Sequence, residues 1–355
     1  MNNISKQFIH GGNIYRYGKD ARTRLLDFSA NINPLGPSPR GIAALQNWDK
    51  LICHYPEPYQ TTLRQNLGQY YNLDIENIAV GNGATEFLYT LFSHLRPSRI
   101  WVTAPTFSEY ARAGIASGSQ IISLPQDELM TEAQKKMKSN EVVCLCQPNN
   151  PDGKMLSQEC VGRWLELTEQ RGAYVLMDES FSDFAPHFMS YRHYVKENRR
   201  LFVLQSLTKF WSIPGLRLGA LFAYSDWIRL LLAGMDQWNV NVLAARYMTE
   251  ALWDTEYILS TQHLVQTEKE RIYQKYSQIE GLSVIRPIVN FMLMELPSQI
   301  TSKMLCDHLA KRDILIRNCD NYDGLGERHI RIAIRCPEEN DYLFSTISEE
   351  LRNII

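Results

Sequence analysis

Lys209 stands in Ser206-Leu207-Thr208-Lys209, directly after the apolar run Leu201 to Leu204 and eight residues before Arg217. A single lysine is ordinarily a solvated surface charge. This one has two hydroxyls and a guanidinium close by in sequence. That set suits a lysine whose amine holds a phosphorylated cofactor, with charge-assisted hydrogen bonds left over for the phosphate. The loop Ile213-Pro214-Gly215-Leu216 can turn the chain so that Arg217 returns to the same pocket.

Asp178 closes the apolar run Tyr174 to Met177, so its carboxylate should emerge where a strand gives way to a loop. A carboxylate there can keep a heteroaromatic ring nitrogen protonated, and the ring can then accept electrons from a carbanion on a bound substrate. The ordinary use of such an aspartate is a helix cap or loop salt bridge, and Lys209 downstream is what favours chemistry. Gly81-Asn82-Gly83-Ala84-Thr85-Glu86 follows another apolar run and opens the amphipathic stretch Glu86 to Leu95. Free backbone N–H groups and the positive end of a helix dipole are expected there, where a phosphate can sit.

These residues need a frame. From Asn77 onward, short apolar runs alternate with amphipathic stretches: Ile78 to Val80, Ile100 to Thr103, Val142 to Cys146, Tyr174 to Met177 and Leu201 to Leu204. Such alternation predicts parallel strands joined by helical crossovers. Strands covered on both faces should be almost continuously apolar, and these are. Ligands in such sheets bind where strands end in loops. Three of the five runs end in polar, glycine-rich or charged clusters, namely Gly81-Asn82-Gly83, Asn149-Asn150-Pro151-Asp152-Gly153 and Asp178-Glu179.

Beyond about Asn239, a long and mostly helical stretch precedes Leu282 to Ile285, Phe291 to Glu295, Ile314 to Arg317 and His329 to Arg335. That is the texture of a smaller α+β domain. The expected organisation is an N-terminal arm over 1–40, a large cofactor-binding domain over 41–245 and a small C-terminal domain over 246–355. In the arm, Gly11-Gly12, Asn33-Pro34, Gly36-Pro37 and Pro39 are turn formers around a strand-like Leu25 to Phe28. A segment crossing the body suits this composition, and a loosely ordered terminus is the plainer alternative.

The 355 residues are 45% hydrophobic, ample for a buried core, and 37 basic against 39 acidic residues leave a net charge of -2. No broad field for nucleic acid or an anionic membrane is expected, so anion selectivity must be local. No signal peptide is read at the start, and the apolar runs, Leu230 to Ala233 among them, fall far short of a membrane span. A cytoplasmic location is expected. The seven cysteines, Cys53, Cys144, Cys146, Cys160, Cys306, Cys319 and Cys336, show no paired metal-ligand spacing. Reduced thiols and no metal are expected, with Cys144 and Cys146 acting as small hydrophobes in a buried strand.

Taken in order, the Gly81 loop, Asn150-Pro151, Asp178, Ser206-Leu207-Thr208-Lys209 and Arg217 resemble the fold-type I pyridoxal-phosphate superfamily, of the aspartate aminotransferase type, over nearly the whole chain. The resemblance implies an α/β fold-type I transferase fold, with a mostly parallel central sheet in the large domain and a smaller α+β C-terminal domain. It implies pyridoxal 5'-phosphate attached to Lys209, with Asp178 on the pyridinium nitrogen and Asn150 donating to the ring's 3-oxygen. Phe107, in Pro105-Thr106-Phe107, matches the aromatic that stacks on the ring. Ala84, Thr85, Ser206, Thr208 and Arg217 match the phosphate cup. Tyr55, in Tyr55-Pro56, matches a tyrosine that reaches the neighbouring subunit's cofactor phosphate, which implies a homodimer. Two positions depart from the pattern. Asp152 replaces the usual threonine after Asn-Asn-Pro, adding a negative charge near the pocket unless it faces solvent. Phe181 stands where a tyrosine often bonds the 3-oxygen, which leaves Asn150 as the expected neutral partner.

Within the superfamily, histidinol-phosphate aminotransferases and the threonine-phosphate decarboxylases of cobalamin synthesis are the nearest resemblances. His10-Gly11-Gly12-Asn13, the stretch Asp27 to Gly36, and Asp178-Glu179-Ser180-Phe181 resemble the decarboxylases. The implied reaction is decarboxylation of O-phospho-L-threonine to (R)-1-amino-2-propanol O-2-phosphate and carbon dioxide. Decarboxylation of O-phospho-L-serine to ethanolamine phosphate, transamination of histidinol phosphate, and a catalytically silent cofactor-binding module are the alternatives. One methyl group separates the two phosphoamino acids, worth about 1–3 kcal/mol of discrimination.

Strand alternation in His329 to Arg335 sends Ile330, Ile332 and Ile334 to one face and Arg331 and Arg335 to the other, where a guanidinium can grip phosphate or carboxylate with two hydrogen bonds. Arg317 can project from the end of its own run. By the resemblance, Arg317 and Arg331 bind the substrate's anionic groups, and His10 and Asn31 contact it from the arm, with Asn33 a further addition. These residues fix the phosphate and thereby choose which α-carbon bond breaks. Lys209 is the expected proton donor to the α-carbon.

Overall fold

The computed structural model describes residues 10–18 and 20–354. In chain order its strands are β1 (Leu26–Asp27), β2 (Ile78–Gly81), β3 (Arg99–Thr103), β4 (Gln120–Leu124), β5 (Val142–Cys146), β6 (Tyr174–Asp178), β7 (Leu201–Ser206), β8 (Gly219–Ala223), β9 (Ser283–Val284), β10 (Phe291–Glu295), β11 (Ile314–Leu315), β12 (Arg317–Asn318) and β13 (His329–Ala333).

The central sheet runs β2-β8-β7-β6-β5-β3-β4. All five apolar runs read from the sequence form strands in it, and each is buried for a reason visible in its letters. In β5, Val143 and Leu145 enter the core on one side of the sheet, while Val142, Cys144 and Cys146 enter the core on the other. β6 and β7 split in the same way, with Val175 and Met177, then Leu201 and Val203, on the first side and Leu176, Phe202 and Leu204 on the second. A strand with both faces dry has no polar position to spare.

Two strands were missing from the expected set. β4 lies at the sheet edge with its residues half-buried or exposed, so its apolar signal is diluted. β8 is wholly buried but short and rich in small residues. It runs antiparallel to both β2 and β7, the one reversed strand in a sheet that is mostly parallel as expected. The reversal places Gly219, the first residue of β8, opposite both Gly81 and Ser206, at the edge where the parallel strands end. Arg217, two residues earlier, is thereby delivered to that edge.

The small sheet, β12-β13-β10-β9, is antiparallel throughout. Ile330 and Ile332 face its core with Met292 and Met294, as alternation predicts. Arg331 faces the other way, directly opposite Arg317 of β12 in register. Residues opposite one another on adjacent strands share a face, so both guanidinium groups leave the sheet on the same side. The helix Thr255–Tyr276 joins the two cores: Tyr257 and Val265 pack in the large one, Ile272 and Tyr276 in the small one. The large core also takes Ala244, Tyr247, Met248 and Ala251 of the helix Val242–Ala251. Packing therefore carries the large core past the expected boundary at 245/246. A helix about 33 Å long can serve both cores, so no change of texture marks the seam.

The arm crosses the body. β1 pairs in parallel with β11, Leu26 opposite Ile314 and Asp27 opposite Leu315. Phe28 continues the tie, its N–H donating to the Leu315 carbonyl at 2.7 Å and its carbonyl accepting from Ala333 N at 2.9 Å. Its ring is fully buried in the small core. Further on, the Asn33 amide donates to the Phe210 carbonyl at 2.8 Å and reaches Tyr257 Oη at 2.8 Å and Thr261 Oγ1 at 2.7 Å. Asn33 is thus a clamp between the arm and the joining helix, and not a substrate contact as expected. Its amide is spent on holding backbone in place. Among the described residues, no helix is long and apolar enough to cross a membrane.

Replacing Phe28 by Ala empties a buried aromatic site and should cost about 3–5 kcal/mol of unfolding free energy. A clearly lower urea midpoint than the parent protein is the expected result; an unchanged midpoint would show that the arm is anchored elsewhere.

Candidate active site

A cavity of about 760 Å³ opens at the ends of β2, β5, β6 and β7, with the arm and the small sheet forming its other walls. It gathers His10, Asn31, Ala84, Thr85, Phe107, Asn150, Asp178, Ser206, Thr208, Lys209, Arg217, Arg317 and Arg331, every expected site residue except Asn33 and Tyr55. Tyr55 lies outside this cavity, 80% exposed, with its ring 4.7 Å from that of Trp238.

The phosphate end is built by close approach. Gly83 has φ 86, a left-handed conformation that favours glycine, and a Cβ there would lie 2.4 Å from Arg217 Nη2. A Cβ on Gly219 would lie 2.3 Å from the Ala84 N. Both positions therefore need glycine if the helix Ala84–Leu95 is to present its N-terminus beside the Arg217 guanidinium. Arg217 itself has φ 56, strain of the kind that persists where surrounding structure holds a functional residue in place. Ser206 Oγ lies 2.7 Å from Thr208 Oγ1 and accepts from Lys209 Nζ at 2.9 Å.

Desolvation of the ammonium is the main reason the Lys209 pKa falls to about 8, with Asp178 pulling it up and Arg217 pushing it down. Asp178 is buried, and its two oxygens are held by separate donors: Ser180 N at 2.9 Å and Tyr110 Oη at 2.6 Å. Burial, with Asp178 beside it, pushes the Tyr110 phenol well above its ordinary pKa, so it stays a donor. Phe107 lies 5.5 Å from Tyr110, edge to face. Asn150 Oδ1 accepts from Arg331 Nη1 and from Tyr322 Oη at 3.4 Å, which leaves its NH2 as the group available to a ligand oxygen. Phe181 packs edge-on against Phe291 at 4.9 Å and offers the cavity only an apolar ring.

At the opposite end, Arg331 is buried, with Nη2 donating to the Ser29 carbonyl at 2.9 Å, and burial lowers its pKa. Arg317 packs over Tyr322 at 5.2 Å and donates to Asn321 Oδ1 at 2.7 Å. Asn31 has both amide atoms buried with no hydrogen-bond partner among the described residues. Such a group costs free energy unless a ligand satisfies it. Pyridoxal phosphate fits the first end of this cavity: an amine for its aldehyde, an acid for its ring nitrogen, an amide for its 3-oxygen and a cup for its phosphate. A second anion fits the other end.

Asp152 does not face solvent. It is buried, accepts from Asn149 Nδ2 at 2.7 Å and Lys154 N at 3.2 Å, and its pKa is raised by burial. Its carboxylate closes the Asn149 to Lys154 turn rather than charging the cavity. Tyr110, Ser29, Glu109 and Tyr322 are the lining or supporting residues that sequence reasoning missed. Tyr110 carried one signal, its spacing of three from Phe107 at the start of a helix; the others carried none. Arg335 lines the cavity too but is committed to Glu339, 2.8 Å away. All seven cysteines are free thiols, and among the described residues no group of three or more His, Cys, Asp or Glu side chains is placed to hold a metal ion.

The aminotransferase class I and II family matches residues 23–347. The threonine-phosphate decarboxylase of Salmonella typhimurium is 35% identical to this chain, covering 97% of both. The crystal structure of L-threonine-O-3-phosphate decarboxylase from Porphyromonas gingivalis superposes with a TM-score of 0.82 at 27% identity, covering 92% of this chain and 99% of that one. Histidinol-phosphate aminotransferase from Clostridium acetobutylicum gives a TM-score of 0.85 at 27% identity, covering 93% and 100%.

Attachment of the cofactor to Lys209, as the sequence predicts, would need its neutral amine. Because burial depresses the ammonium's pKa to about 8, the rate at which stripped enzyme takes up pyridoxal phosphate should climb as pH rises through 8 and level off above it. Absorbance recorded after rapid mixing reads this directly. A rate still climbing steeply at the pH where a solvated lysine titrates would contradict a desolvated amine.

Proposed function

This chain belongs to the aminotransferase class I and II family and uses pyridoxal phosphate, and we propose that within the family it decarboxylates O-phospho-L-threonine. The products are carbon dioxide and (R)-1-amino-2-propanol O-2-phosphate, a building block for cobamide synthesis. The observation that carries this reading is the far end of the cavity, where the arm's unpartnered Asn31 amide and the guanidinium groups of Arg317 and Arg331 share one wall. A doubly anionic amino acid offers a phosphate and a carboxylate to such a set. The 35% identity to the Salmonella typhimurium decarboxylase supports it along the whole length, arm included.

Bound pyridoxal phosphate supplies an electron sink for the carbanion left at the substrate's α-carbon. The chain's own residues do the rest. Asp178, oriented by Tyr110 and Ser180, would be the partner of the ring nitrogen. Ser206, Thr208, Arg217 and the backbone N–H groups of Ala84 and Thr85 would hold the cofactor phosphate, Phe107 would stack on its ring, and Asn150 would donate to its 3-oxygen. Arg317, Arg331, Asn31 and His10 grip the substrate so that its carboxylate, rather than its α-hydrogen, is the group expelled. Lys209, once its amine is free and protonated, would hold the proton that the α-carbon takes up.

A second copy of the chain is the expected partner, with Tyr55 reaching the neighbour's cofactor phosphate. Tyr55 and Trp238 lie ring against ring and exposed, and Trp48 and Ile52, a few residues before Tyr55, are exposed as well, apolar surface of the kind that marks an interface. Sedimentation should give the mass of a dimer.

Purified protein with pyridoxal phosphate and O-phospho-L-threonine should release carbon dioxide and 1-amino-2-propanol O-phosphate, and turnover on O-phospho-L-serine should be slower. Pyridoxamine phosphate and a keto acid without carbon dioxide would overturn the reading in favour of transamination. Arg331→Gln removes a charged donor worth about 2–3 kcal/mol and should lower kcat/KM about 30- to 150-fold. Lys209→Ala should abolish the yellow absorbance; colour that survives and is still fixed to protein by borohydride would place the attachment elsewhere.

A further inference from the structure

Glu109 opens the helix Glu109–Ala116, two residues after Phe107 and one before Tyr110. It is only 5% exposed, yet it lines the cavity, where an uncovered carboxylate would repel a phosphorylated substrate. Its Oε1 lies 2.7 Å from His10 Nε2 and 3.3 Å from Arg112 Nη1, and its Oε2 accepts from Tyr89 Oη at 3.3 Å. The shortest of these contacts comes from the arm, 99 positions away in sequence. His10 also lies against Phe107, ring centroids 5.5 Å apart. Behind His10 the arm is folded onto itself. Gly12 N donates to Ser29 Oγ at 2.8 Å, and a Cβ on Gly11 would lie 2.0 Å from the Ser29 carbonyl oxygen. Ser29 in turn holds Arg331 through that carbonyl.

We propose that Glu109 is a positioning residue: by holding His10 against Phe107 it latches the N-terminal arm over the substrate end of the cavity. The inference rests on the reading that His10 and Asn31 contact the substrate. Glu109 acts through His10 and transfers no proton. The segment from Phe107 to Tyr110 then has three duties, with Phe107 facing the cofactor ring, Tyr110 orienting Asp178 and Glu109 securing the arm.

The test is a double-mutant cycle on the cofactor-loaded protein, with Glu109→Ala, His10→Ala and both together. Glu109→Ala should raise KM for O-phospho-L-threonine about tenfold, as loss of a charge-assisted hydrogen bond does, with kcat changed less than about twofold; His10→Ala, which also removes a substrate contact, should raise it at least as much. The pair should be no worse than His10→Ala alone, because Glu109 acts only through His10. Multiplied effects, about a hundredfold in KM, would overturn the latch. A second measurement does not use the substrate: trypsin cleavage between His10 and Leu25, where the sequence holds Arg16, Lys19, Arg22 and Arg24. Cleavage should accelerate about tenfold in each single variant and no further in the double. An arm cut at the parental rate in Glu109→Ala would overturn the proposal, and accelerated cutting in a protein that never decarboxylates phosphothreonine would keep the latch and reject the substrate. If Glu109→Ala takes up no cofactor, Glu109→Gln carries the same cycle with smaller effects of the same pattern.

Discussion

Three segments distant in sequence meet at Gly219, and no side chain fits there. Gly219 is opposite Gly81 on β2 and Ser206 on β7, and a Cβ on it would intrude on the Ala84 N. That junction fixes where the helix Ala84–Leu95 begins, where Arg217 lies and how Ser206 leads to Lys209. It depends on one reversed strand. Had β8 run parallel to its neighbours, Arg217 would have lain at the opposite edge of the sheet, and an anion cup at this edge would have lacked its fixed cation. The usual rule that ligands bind at the ends of parallel strands is here supplemented by an antiparallel strand that starts where the others stop.

Around that junction the charges depend on one another. Burying an ammonium or a carboxylate is expensive unless partners compensate. Asp178 keeps two donors of its own, one from backbone and one from a buried phenol, so its orientation does not depend on a ligand. Among the described residues Lys209 has only the Ser206 hydroxyl as a hydrogen-bond partner, and it is pushed toward the neutral amine that can react. Arg331 spends one nitrogen on the Ser29 carbonyl and another on Asn150, so arm, small sheet and cofactor end are joined through a single guanidinium. A site so connected is assembled only when all three parts are folded together.

Much of this was legible in the letters. β5, β6 and β7 could be read because strands dry on both faces are continuously apolar, and Arg331 could be placed because alternation with Ile330 and Ile332 left it one face only. Lys209 and Asp178 were legible through their position after such strands. What escaped had a physical reason in each case. The direction of β8 is set by pairing partners far away and leaves no mark on a short run of small residues. Asn33 and Asp152 are polar residues near a site, and nothing local distinguishes a side chain facing a ligand from one closing a turn or clamping a helix. Tyr322 and Glu109 matter through contacts with residues more than ninety positions away, which no spacing rule reaches. The seam between the cores was hidden because one continuous helix serves both.

The fold alone does not choose the reaction. A decarboxylase and an aminotransferase superpose on this chain almost equally well, with TM-scores of 0.82 and 0.85, so the central sheet is common ground. A shared electron sink accepts whichever bond to the α-carbon is aligned with it, and alignment is decided at the substrate's far end. On the proposed reading that end is built by two elements outside the central sheet: the paired strands that carry Arg317 and Arg331, and the arm that brings Asn31 to the same cavity. Phe28 buries the arm in the small core, so the arm and the strands that carry the arginines are packed as one unit. On the proposed reading, orientation is imposed by that unit, which is registered to the cofactor end at two points: the Asn33 N–H donates to the Lys209 carbonyl at 3.0 Å, and Arg331 donates to Asn150.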